Sequence, residues 1–118
     1  MGSDCGGNEA RQHGRNVDEL VAYVRFGMSP MDAISSGTLE AARAVWLDEE
    51  VGSIQPGKAA DLVIVDGDPL GEIDLLVSAI TGVVQGGRVV RDDLGILEPM
   101  RPRGRTQPRT TTAIVPST

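Results

Sequence analysis

The sequence predicts an α/β chain with short helices up to about residue 47 and a small β unit after it. Three observations predict it. Helix-capping residues recur three times between Asn16 and Thr38. The run "DLVIVDGDP" is apolar, β-branched and bounded by Asp, Gly and Pro, as strands are. The segment "ITGVVQGGRVVRDD" sets two β-branched runs about Gly86-Gly87, a hairpin signal.

The elements follow in order. Asn16 with Glu19 three residues on forms a capping-box pattern, and Val17, Leu20, Val21 and Val24 share one helical face. Gly27 is a stop, so the spacing predicts a helix over 17–26. Ser29 caps a second helix, with Pro30 at its first position and Asp32 against the positive end of its dipole. It ends near Gly37. Thr38 caps a third helix to about Trp46, with Leu39, Ala42 and Val45 or Trp46 inward and a Glu40–Arg43 pair on the surface. Three short capped helices in succession suit the periphery of a barrel or bundle. "DLVIVDGDP" reads as a buried strand, "LGEIDLLVSA" as a short helical turn, and the hairpin closes the β unit.

Composition narrows the function. The chain has 118 residues and a net charge of −6. All 17 acids lie at or before Glu98 with seven of the 11 bases, leaving that part at −10. Arg101, Arg103, Arg105 and Arg109 follow without an acid. An acidic body argues against nucleic-acid binding. The basic end, residues 92–118, is rich in Pro and Thr and reads as a disordered tail. Cys5 stands alone, so no intrachain disulfide forms and a cytoplasmic chain is the default. No apolar run is long enough to span a membrane.

The stretch "GSIQPGKAADLVIVDGDP" opens with a near match to the phosphate loop G-x-x-x-x-G-K-[ST]. The match lacks context. A phosphate loop follows a strand and opens a helix, whose amides and dipole meet the phosphates. Here the acids of "LDEEV" precede the loop, a strand follows it, and Ala59 stands where Ser or Thr would hold magnesium. Pro56-Gly57 reads instead as a type II turn between two strands, a sheet corner.

That stretch, followed by "VVQGGRVV" and preceded by "GSD" and "HGRNVDELVAYVRFGMSPMDAISSGTLEAARAVWL", resembles the C-terminal end of the metal-dependent amidohydrolase superfamily. The likeness is to its imidazolonepropionase-like and prolidase-like branch, and it covers roughly residues 2–91. The resemblance implies the end of a TIM-type (β/α)8 barrel over residues 1–46. It implies the C-terminal half of a composite β-sandwich over 47–91. It implies hydrolysis of a C–N bond in a small amide or cyclic amide by water activated on a divalent metal, usually zinc. Asp4, the aspartate of "GSD", takes the place of a metal ligand and proton acceptor. His13 falls where a loop histidine near the substrate pocket is expected; as a residue alone it reads as a solvated loop position. Arg11 and Arg15 are further candidates for an anionic substrate group, and Cys5 for a soft metal, though each also reads as a plain surface residue.

A catalytic zinc takes about three protein ligands and a water. The chain has one histidine and no H-x-H pair. The expectation is therefore the last quarter or so of such an enzyme, beginning after barrel strand 8 and inactive alone. The alternative is a non-catalytic β module that binds a complementary chain or another protein, or forms a homo-oligomer. A nucleotide-binding protein is a third reading, resting only on the near phosphate loop.

Overall fold

A computed structural model describes residues 14–97 of the chain. Helix α1 (Asp18–Arg25) buries Leu20 and Val21, as the spacing predicts. It ends as expected at Gly27, whose φ is 103°. The Gly27 amide donates to Val24 O at 3.0 Å and the Met28 amide to Tyr23 O at 3.0 Å, which closes a Schellman motif. The start differs from the expectation. Val17 occupies the N-cap and no side chain caps the helix. Arg15 ion-pairs with Asp18 at 2.7 Å, and its carbonyl takes the Asp18 amide. Glu19 accepts the Tyr23 hydroxyl one turn on, so its carboxylate is drawn away from the helix end.

Helix α2 (Pro30–Gly37) starts as predicted. Ser29 Oγ accepts the Asp32 amide at 3.1 Å and donates to Asp32 Oδ2 at 2.6 Å. Helix α3 (Leu39–Ala44) follows after one residue. Thr38 does not cap it by side chain: its hydroxyl donates back to Ile34 O at 2.8 Å. With no linker between the helices, the hydroxyl completes the end of α2 instead of the start of α3.

The end of α3 corrects a second expectation. Ala42 is buried, but neither Val45 nor Trp46 turns inward, and Trp46 is 89 % exposed. The Trp46 amide donates to Arg43 O and the Leu47 amide to Ala42 O, again a Schellman closure. The left-handed residue that this closure requires is Trp46 itself, at φ 58°. The side chain therefore leaves the helix face on which periodicity placed it.

Strand β1 (Leu62–Val65), helix α4 (Leu75–Ser78), strand β2 (Ile80–Gln85) and strand β3 (Arg88–Asp92) complete the described elements. The sheet is antiparallel in the order β1-β2-β3. Leu62 faces Val84, and Val84 faces Val89, on the covered side. Val63 faces Val83 on the other side and is 57 % exposed, and Leu62, Ile64 and Val65 are only half-buried, so β1 is not the buried strand expected. Among the described residues no strand precedes Pro56, and residues 51–61 have no regular structure. The turn there is as predicted. The Lys58 amide donates to Gln55 O at 3.3 Å, and Gly57 has a φ of 96°. Gly86 and Gly87 have φ of 54° and 74°, which a type I′ hairpin turn demands and which glycine adopts freely.

Asp92 belongs to β3, and its carboxylate accepts the amides of Ile96 and Leu97 at 3.2 and 2.9 Å. The turn lays Leu97 over Gly82, where a Cβ would lie 3.2 Å from Leu97 Cδ1. The rest of the expected tail, from residue 98, lies outside the described residues.

Two small apolar clusters result. Leu20, Val21, Ala33 and Ala42 are buried among the first three helices, and Ile73 and Val84 in the β unit. No large side chain among the described residues is fully buried. No described helix is long and apolar enough to cross a membrane.

Candidate functional site

Most residues that the sequence marks for chemistry, Asp4, Cys5, Arg11 and His13, lie outside the described residues. Arg15 is described, and its guanidinium lies against Asp18 on an exposed surface. Among the described residues no three His, Cys, Asp or Glu side chains converge as a metal site would require.

The near phosphate loop is where the described residues are most informative. Lys58 does not reach into open space. Its ammonium donates to Asp48 O, to Ser53 Oγ at 2.7 Å and to Val51 O at 3.4 Å. An ammonium has three donors, and all three have acceptors. A phosphate would have to displace them.

The adjoining cleft, about 410 Å³, is equally unsuited to a polyphosphate. Asp48 and Glu49 line it. Arg43, the other cation there, is held by Glu40 at 2.6 Å. The element after Lys58 is strand β1, so no helix dipole faces the loop. Lys58 therefore braces the loop 48–53 against the turn at Pro56-Gly57.

Reading by motif misses this role, because the motif draws Lys58 toward a ligand. One signal was present. Lys58 is the only lysine in a chain whose other ten bases are arginine. A single tetrahedral donor suits converging carbonyls where a planar guanidinium does not.

The residues after Lys58 carry the brace to the sheet. The Ala59 amide donates to Glu50 O at 2.8 Å. The Gly87 amide donates to Ala60 O at 3.0 Å, and the Gly86 amide to Asp61 Oδ1 at 2.6 Å. The near phosphate loop, already read from the sequence as a turn, is thus a junction of backbone amides and carbonyls.

Comparison with known proteins gives the family. The model of the amidohydrolase family matches residues 1–91. Adenine deaminase 4 of Rhizobium meliloti is 35 % identical over 100 residues, which cover 84 % of this chain and 16 % of that protein. Imidazolonepropionase of Geobacillus kaustophilus is 32 % identical over 95 residues, 79 % of this chain and 22 % of that one.

Among solved structures, a Xaa-Pro dipeptidase with bound methionine in its active site has a TM-score of 0.65 at 37 % identity. It covers 69 % of this chain and 20 % of its own. Molinate hydrolase has a TM-score of 0.66 at 34 % identity, over 91 % of this chain and 22 % of its own. The chain thus spans about a fifth of the length of the relatives it matches. With a family match unbroken from Met1 to Arg91, and likeness to both imidazolonepropionase and prolidase-type structures, the chain belongs to the amidohydrolase family.

Proposed function

We propose that these 118 residues form the C-terminal part of a metal-dependent amidohydrolase that hydrolyses a C–N bond in a small amide or cyclic amide. The observation that carries this is the family match over residues 1–91, which includes Asp4 and His13. Relatives named as an adenine deaminase, an imidazolonepropionase and a Xaa-Pro dipeptidase support the bond type. In this reading residues 1–46 end a (β/α)8 barrel and 47–91 are half of a composite β-sandwich. Asp4 is a metal ligand and takes up the proton of the attacking water, and His13 borders the substrate.

The donor set of the chain does not make a whole zinc centre. Zinc in a hydrolase takes about three protein ligands. Asp4 and the only histidine are too few, and the described residues add no ligand cluster. Activity therefore needs residues beyond these 118.

The test is direct. The purified 118-residue chain, with added Zn²⁺, is assayed for cleavage of Xaa-Pro dipeptides and for ammonia release from adenine. No turnover is expected, and turnover above the metal-only blank would overturn the claim of an incomplete site. In an enzyme complemented with the missing part, Asp4→Asn is expected to abolish kcat, while His13→Ala raises KM. An Asp4→Asn enzyme of undiminished kcat would remove Asp4 from the chemistry.

A second reading has one observation in its favour. Phe26, Trp46 and Ile54 are each about nine-tenths exposed, and a partner that covered them would remove that apolar surface from water. A complementary chain that covers them fits a binding module. Light scattering of the chain alone and mixed with that partner distinguishes the two, since a module binds without conferring turnover.

A further inference from the structure

We propose that Lys58 is the coupling residue between the helices and the sheet, an internal cation that stands in for regular structure where the chain has none. The claim does not depend on the hydrolase reading.

Residues 51–61 carry no helix or strand, yet they are the covalent path from α3 to β1. Helix α2 packs on both α1 and α3, and strand β2 packs on α4. Across this path one other side-chain link is Arg25 to Asp74 at 3.0 Å, with side chains 70 % and 54 % exposed. An exposed pair of that kind contributes little and is screened by salt.

Lys58 is placed differently. It is half-buried, and it satisfies the carbonyls of Asp48 and Val51, to which no backbone amide of the described residues donates. Buried or half-buried carbonyls without a partner are unfavourable, so the loop closes around the ammonium. Two of the next three residues hold the hairpin turn: Ala60 O takes the Gly87 amide and Asp61 Oδ1 the Gly86 amide. Anything that frees Lys58 loosens both sides.

Two experiments on the full 118-residue chain test this. Lys58 is the only side-chain amine, so an acylating reagent reports on it alone once the α-amine peptide is separated by mass. Labelling is expected to be at least about tenfold slower in buffer than in concentrated urea, as for a group that reacts only on local opening. Equal rates would overturn the proposal.

Hydrogen exchange is then compared for Lys58→Met and Lys58→Arg. Both are expected to lose about tenfold or more of the protection at Ala59 and, together with it, at Gly86 and Gly87. Loss at Ala59 alone, or full protection in Lys58→Arg, would overturn it. If Lys58→Met does not fold, the labelling rates of the unmodified chain decide.

Discussion

Asp61 Oδ1 accepts the Gly86 amide at 2.6 Å, joining the entry of β1 to the tip of the β2–β3 hairpin across 25 residues of chain. A charged acceptor on an amide is among the stronger hydrogen bonds, even near the surface. It fixes the hairpin tip from outside the hairpin. Asp61→Ala is expected to lower stability by about 1–2 kcal/mol. Urea titration followed by circular dichroism checks this, and a variant with an unchanged midpoint would show the bond to be unimportant.

Gly52 is the position where the loop touches α3. Its φ is 88°, and a Cβ there would lie 2.8 Å from Ala42 Cβ and 3.0 Å from Leu39 Cα. Both neighbours are fixed by the helix. Gly52→Ala is expected to cost about 1–3 kcal/mol, from the left-handed backbone and from displacement of the loop. The loss should show in the melting temperature.

Trp46 offers a change in the opposite sense. It is held at φ 58° with its ring 89 % exposed, so substitution removes strain and little buried surface. Trp46→Gly is expected to stabilise the isolated chain by about 0.5–1 kcal/mol. A lower melting temperature would mean that the indole makes contacts that its exposure does not show.

The pair Arg91–Asp93 sets a pH response. The hydrogen bond from Arg91, and then its charge, hold the Asp93 carboxyl below the ordinary carboxylate range. The unfolded chain therefore takes up this proton first as pH falls. The contribution is present above about pH 4 and is lost as pH drops through the lower folded value. Compared with Asp93→Asn, the unmodified chain should be slightly more stable at pH 6, and the gap should close as pH falls through the lowered folded value. High salt should narrow the gap at pH 6, because both groups are exposed.

What was legible in the sequence was local. Ser29 with Pro30 and Asp32 is a complete cap within four residues, and it forms as written. Gly86-Gly87 requires only its own φ angles to make a hairpin turn, and Gly57 likewise. The family likeness was legible too, because it rests on the order of such motifs along the chain. Asp4 and His13 were reached only through that likeness.

Competition between neighbours was not legible. Asn16 and Thr38 have the right chemistry for caps, but Glu19 turns to Tyr23 and Thr38 turns back to Ile34. Lys58 shows the same limit on a larger scale. Its sequence neighbours spell most of a phosphate loop, yet its acceptors come from Asp48, Val51 and Ser53. The sequence by itself determined where the chain turns, caps and pairs, because φ preferences and short-range hydrogen bonds act within a few residues. Only the tertiary structure decided what the half-buried ammonium binds, because the acceptors converge only once the loop has closed around it.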